Sequence, residues 1–191
     1  VRRLDVRACE VSVTDQSSTE LKLNGLRLRS LRPEDAPSLA RYANDVDVWR
    51  NLRDAFPHPY GVEHATRFIE DVASGDEGAL VLGLEVDGAI VGVCGAYPQD
   101  DVYARSAEVG YWLGRQFHGR GLATQALRAL TDHVFATLDV ARLFAGVFAW
   151  NPASARVLEK CGYVREGVLR SSVMKDGQLI DSYLYAKVRG D

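Results

Sequence analysis

The sequence predicts an α/β domain in which one mixed sheet of about seven strands is flanked by helices. Three observations carry this. Asp87-Gly88 and Asp176-Gly177 each join two apolar runs, the strongest short signal for an antiparallel hairpin. A strand pattern over 103–113 leads through a glycine-bearing loop into a long helix and then a second strand, which makes one βαβ unit. In that helix Leu122, Ala126, Leu130, Val134 and Leu138 recur every fourth residue, and Leu127 and Phe135 widen the stripe that packs on the sheet.

The elements follow in order. Residues 1–20 mix charges with Thr14, Asp15, Gln16, Ser17, Ser18 and Thr19 and read as a solvated arm, with a weak added strand over 4–13 as the alternative. The domain is read as 21–189. Leu21, Leu23, Leu26, Leu28 and Leu31 around Asn24-Gly25 predict either a strand pair or one bulged first strand. Ser30 to Asp35 places a proline and two acids where a helix begins. Helices are predicted over 33–42, 45–52 and 62–73, and the segment 56–61, with Pro57 and Pro59, is excluded from any helix interior. Strands follow over 79–86 and 89–97. After the βαβ helix, which runs to about residue 138, the nearly continuous apolar run 142–150 predicts a strand covered on both faces. Asn151-Pro152 opens a helix that stops at Cys161-Gly162, and 163–174 with 178–188 form the last hairpin.

Composition bounds the function. A chain of 191 residues with 47% apolar and 26% charged residues is ordinary for a globular protein and leaves little room for extensive disorder. A net charge of −3 gives no electrostatic case for nucleic acid as main partner. Cys9, Cys94 and Cys161 form neither a redox pair nor a metal pattern and fit reduced thiols. Residues 1–20 hold no apolar core of the kind a secretory signal needs, although the missing initiator Met leaves a trimmed start open. No later run approaches a membrane span, so no membrane association is expected and the expected location is the cytoplasm.

The chemistry centres on Glu108-Val109-Gly110-Tyr111-Trp112-Leu113 and the loop Gln116-Phe117-His118-Gly119-Arg120-Gly121-Leu122-Ala123-Thr124. A helix start leaves backbone N–H groups unpaired and carries partial positive charge, so glycines there let a phosphate approach the main chain. A Walker loop is excluded because Leu122 and Ala123, not Lys and Ser/Thr, follow Gly121. A dinucleotide fingerprint is only half met, since Thr124 holds the third glycine position and no ribose-binding acid closes the next strand. A glycine-rich helix start without a ligand fits the same residues.

The second constellation is Asn151-Pro152-Ala153-Ser154, running on to Lys160-Cys161-Gly162-Tyr163. Asn151 before Pro152 is also an ideal helix cap that needs no ligand. Taken together and in this order, the two stretches resemble the acetyl-CoA loop and the N-x-x-S…K-x-G-F/Y signature of the GNAT N-acetyltransferases, in particular the RimJ/RimL-like branch that acetylates protein N-termini. The resemblance covers roughly residues 21–188, including the opening Arg27 to Ala36. It implies the GNAT fold with splayed fourth and fifth strands, and acetyl-CoA as cofactor with coenzyme A as product. It also implies a pyrophosphate on the amides of Gln116 to Thr124, pantetheine pairing with the backbone of Val109, Tyr111 and Leu113, and Asn151, Ser154 and Lys160 beside the cofactor. A homodimer occurs in this branch.

Acetyl transfer from a thioester to an amine needs a neutral amine, a stabilised oxyanion and a proton for the departing thiolate. Glu108, on the strand leading to the loop, is the candidate general base, directly or through water, and a solvated strand carboxylate is the plain alternative. Backbone N–H groups near Tyr111 can polarise the carbonyl. By resemblance Ser154 serves the thiolate, with Tyr163 and Tyr111 as alternatives. His118 faces phosphate or solvent, and His58, His64 and His133 lack metal spacing. Trp49, Phe56, Tyr60, Tyr97 and Trp112 are candidates for the wall of the acceptor site, or simply for the core. The expected acceptor is a protein N-terminal α-amine. A polyamine or antibiotic-like amine, and a non-catalytic acyl-CoA-binding module, are the alternatives.

Overall fold

The Asp-Gly turns take the left-handed backbone that two-residue hairpins require. Asp87 and Gly88 have φ of 50° and 80°, and Asp176 and Gly177 have φ of 50° and 70°. In the computed structural model, which describes residues 19–75 and 78–191, these turns join β3 (Leu80–Val86) to β4 (Ala89–Pro98) and β7 (Val164–Lys175) to β8 (Gln178–Val188). The arm reading, the weak strand over 4–13 and Cys9 concern residues 1–18 and lie outside the described residues.

The N-terminal leucine pattern resolves into two strands, β1 (Glu20–Leu23) and β2 (Leu26–Arg29), turning at Gly25 with φ 72°. With β5 (Ser106–Leu113) and β6 (Arg142–Phe148) the sheet has, among the described residues, eight strands rather than about seven, in the order β1-β2-β3-β4-β5-β6-β8-β7. Every neighbouring pair is antiparallel except β5 and β6. Residues 103–105 belong to a short 3-10 turn and its exit rather than to β5, consistent with the exposure of Val102 and Tyr103.

Helices cover both faces. On one, α4 (Leu122–Thr137) and α5 (Pro152–Lys160) bury Leu122, Ala126, Leu127, Leu130, Val134 and Leu158 against the sheet. Burial of each such leucine contributes roughly 1.5–3 kcal/mol. On the other face, α1 (Ala36–Ala43) and α3 (Val62–Ser74) pack Leu39, Ala65 and Ile69 on Val81, Ile90 and Val93. The single turn α2 (Val46–Trp49) is capped by Asp45, whose carboxylate accepts from the Asp47 amide at 2.8 Å. Among the described residues no helix is long and apolar enough to cross a membrane.

A buried ion network ties α1 to the sheet. Arg29 grips Asp35 with two parallel bonds of 2.8 Å and also donates to Glu85, which accepts from Arg27 as well. Burial opposes ionisation of Asp35 and Glu85, but the guanidinium bonds, with the Arg32 amide at Asp35, outweigh it and hold both carboxyls below their ordinary range. A carboxyl depressed in the folded state adds stability above its unfolded pKa and loses it as pH falls through the folded one. The thermal midpoint is therefore expected to drop as pH is lowered through about 4 and below, and less steeply in Asp35→Asn, as scanning calorimetry would measure.

One departure from the sequence reading positions the site. The apolar run of β6 predicts cover on both faces, yet only Leu143, Ala145 and Val147 are buried. Phe144, Gly146 and Phe148 are partly or fully exposed on the opposite face. That face sets Phe144 beside Glu108 of the neighbouring strand.

Candidate active site

β5 and β6 run parallel, and their register holds only for Ser106↔Arg142, Ala107↔Leu143 and Glu108↔Phe144. Beyond Glu108 the strands part. Among the described residues the β6-facing edge of Val109–Leu113 lacks a strand partner, while β4 continues to pair with β5 on its other edge as far as Leu113. Alternation sends Ala107, Val109, Tyr111 and Leu113 toward α4 and α5, and Glu108, Gly110 and Trp112 toward the opposite face, the one α1 and α3 cover in part.

On the helical side, the Tyr111 hydroxyl meets Ser154 Oγ at 2.9 Å and donates to the Ser154 carbonyl at 3.1 Å. Burial raises the Tyr111 phenol above its ordinary range, and the Ser154 bond offsets this only in part. Ser154 is held in turn by the α5 cap, its amide donating to Asn151 Oδ1 at 3.1 Å. The capping role of Asn151 is thus present, and it delivers the serine hydroxyl to the tyrosine. Tyr163 is placed differently: its hydroxyl is bonded to Thr131 Oγ1 at 2.8 Å in the core, and burial pushes its phenol up to about 12. The Lys160 side chain is exposed, and its carbonyl accepts from Arg128.

The loop after β5 is organised by its own bonds. The amides of Phe117 and His118 donate to the carbonyls of Gly114 and Arg115 at 2.9 and 3.0 Å, so they are not free for a phosphate. His118 Nε2 donates to the Leu113 carbonyl at 2.8 Å, which gives this histidine a loop-tying role instead of a phosphate-facing one. Gly119 and Gly121 adopt φ of 74° and 77°, and a Cβ added at either would meet nothing within 4 Å. Their need is conformational, and the space before them is open. The first bond at the start of α4 is Gln125 N–H to Gly121 O, leaving the first-turn amides of Leu122, Ala123 and Thr124 directed outward. An open cleft of about 470 Å³, lined by residues including Arg41, Arg115 and Gln116, adjoins the loop. The open strand edge, the outward amides and the Tyr111–Ser154 pair fit an extended thioester with a phosphate at one end.

On the Glu108 side, residues 49–54 form a strap. Arg53 donates to Glu108 Oε1, Asp54 binds Lys175 Nζ at 2.6 Å, and Lys175 lies 3.9 Å from the centre of the Trp49 ring. Arg50 stands 5.2 Å over Trp150, whose Nε1 is buried and has no hydrogen-bond partner among the described residues. Of the aromatic candidates, Phe56 stacks on Tyr60 at 4.7 Å and meets Trp112 edge-on at 5.7 Å, and Trp49 contacts His58. Tyr60 and Tyr97 belong to the core on the α1–α3 face. His64 accepts from the Gly61 amide, and His133 lies on α4. No group of potential metal ligands occurs among the described residues. Sequence reasoning passed over Arg50, Arg53 and Lys175, whose partners are remote in the chain and leave no local pattern.

Comparison with known proteins adds identity to this geometry. Residues 25–164 match the family described as an acetyltransferase (GNAT) domain. The uncharacterized N-acetyltransferase p20 of Bacillus licheniformis is 30% identical over 166 residues, which cover 86% of this chain and 93% of that protein. The ribosomal-protein-serine acetyltransferase of Escherichia coli (strain K12) is 32% identical over 84 residues, 44% of this chain and 47% of its own. The structure of Mycobacterium smegmatis RimJ in complex with CoA-disulfide aligns with a TM-score of 0.75 at 27% identity, covering 86% of this chain and 82% of that one.

Proposed function

The chain belongs to the GNAT acetyltransferases, and from that premise we propose that it acetylates the α-amine of a protein N-terminus by direct attack in a ternary complex. It is an acetyltransferase of the RimJ/RimL-like branch, and acetyl-CoA, when bound, supplies the thioester-activated acetyl group. One observation carries the acceptor side of this reading. The open edge of β5 begins at a carboxylate, Glu108, and leads past Gly110 to the Tyr111–Ser154 hydroxyl pair, so a proton acceptor and a proton donor flank one unpaired strand.

In this proposal Glu108 takes the proton from the attacking nitrogen, directly or through water. The new C–N bond forms as the C–S bond breaks, and a proton reaches the sulfur from the Tyr111–Ser154 pair, which suits relay through hydrogen bonds better than full ionisation of either hydroxyl. The amides of Leu122, Ala123 and Thr124 hold the pyrophosphate. An α-amine with a pKa near ~8 asks less of a carboxylate base than a lysine near ~10.4. The name of the ribosomal-protein-serine acetyltransferase supports a protein acceptor.

Incubation with acetyl-CoA and an acceptor panel, following free thiol, tests the reading. Release is expected with a peptide bearing a free N-terminus and not with the same peptide blocked at its α-amine. Acetyl-CoA binding without turnover on any acceptor would instead indicate a binding module, and turnover on a polyamine alone a small-amine enzyme. Within the site, Tyr111→Phe removes one hydroxyl of the relay and is expected to lower kcat by up to about 10-fold, the worth of one hydrogen bond. The KM for acetyl-CoA should hardly move; a rise in KM at constant kcat would make the pair a binding contact only.

A further inference from the structure

Glu108 is already occupied in the free enzyme. Its carboxylate accepts from Arg53, an arginine whose side chain is 76% exposed, whereas that of Glu108 is only 24% exposed and fixed on a strand. The arginine is therefore the partner able to leave. Exposed ion pairs are weak, so an incoming ammonium can take the carboxylate at little net cost.

The strap that carries Arg53 does not move with it. Asp54, the next residue, is itself 73% exposed, but its partner Lys175 is 1% exposed, packed on Trp49, and would be left as a buried unpaired charge if Asp54 moved away. Breaking an ion pair with a buried member is strongly unfavourable. Arg53 is thus released as a side chain from a held backbone, and its guanidinium stays close to Glu108. Once the amine takes Glu108, the charge of Arg53 loses its partner. Asp54 is matched by Lys175, and the other cation of the strap, Arg50, lies on the Trp150 ring.

We propose that Arg53 is a specificity-determining residue that exchanges Glu108 for a carboxylate of the acceptor. The preferred acceptors then carry an acidic side chain close to the reactive amine. This rests on the reading of Glu108 as the group that receives that amine. Each residue adds about 3.3–3.6 Å of chain, so an acid at the second or third position of an N-terminal acceptor lies within the swing of an arginine. The same charge disfavours polycationic amines, which would bring further ammonium groups against Arg53 and Arg50.

The test uses the full chain, acetyl-CoA and two peptides with a free N-terminal alanine, one with glutamate and one with glutamine at the second and third positions. At low salt the wild type is expected to favour the glutamate peptide by about 5-fold in kcat/KM, mostly through KM. Arg53→Ala should bring the ratio to near one, Arg53→Lys should restore part of it, and Arg53→Glu should reverse it. An exposed side chain leaves the fold intact, which the thermal midpoint of each variant verifies. Equal kcat/KM for the two peptides in the wild type, or a ratio unchanged in Arg53→Ala, overturns the proposal. So does a uniform gain on both peptides in Arg53→Ala, which would reduce the arginine to a mask over Glu108. Absence of turnover on either peptide, with acetyl-CoA bound, defeats the α-amine reading itself. That outcome is distinct from turnover without selectivity.

Discussion

Gly121→Val is expected to raise the acetyl-CoA dissociation constant about 5- to 150-fold, because a β-branched residue held at φ near 77° is strained by roughly 1–3 kcal/mol. The added side chain would strike nothing, so the effect must come through the backbone. Relief of the strain rotates the peptide that caps α4 and turns the amides of Leu122, Ala123 and Thr124 away from the phosphate. Titration calorimetry with coenzyme A reads this directly. Gly25→Val is the control, since Gly25 has φ 72° in the β1–β2 turn, well separated in the sheet from β5 and β6. It should lose comparable stability and keep its affinity. Coenzyme A affinity unchanged in Gly121→Val would remove the cradle from the loop.

Glu108→Gln is expected to lower kcat by about 100-fold while acetyl-CoA affinity stays constant, the low end of general-base effects because an α-amine is partly neutral at physiological pH. What remains should climb with pH through about 8, tracking deprotonation of the acceptor alone. Single-turnover rates across a pH series measure both features. A kcat within about 2-fold of wild type would show that Glu108 is only a solvated strand carboxylate paired with Arg53.

Much of the fold was legible because its signals are local. Asp-Gly turns impose their own backbone, the stripe on α4 repeats every four residues, and Asn151-Pro152 marks a helix start by cap chemistry alone. The count of strands was less legible, since Asn24-Gly25 between leucines suits a bulge as well as a turn. The run in β6 misled for a different reason. Phe144 and Phe148 are apolar yet only half-buried, and composition alone cannot distinguish that from a covered core strand. Within the site, the glycines were legible from what they must do to the backbone. The bonds Tyr111–Ser154, Arg53–Glu108 and Asp54–Lys175 were not, for they span 43, 55 and 121 residues and arise only when the sheet assembles.

The outer strand β7 has a consequence for the protein in concentrated solution. It is the sheet's C-terminal edge, twelve residues long, and leaves Val164, Val168, Leu169 and Met174 exposed. A straight strand of this kind would offer a template on which further chains add and precipitate. Here the register slips twice, at Arg165/Gly167 and at Leu169/Val173, and Ser171 turns to φ 48° with its amide donating to Asp181. The interruptions break the row of amides into short stretches that no regular neighbour can match. The two irregularities guard the edge against strand addition, on a strand whose last residue, Lys175, also anchors the 49–54 strap.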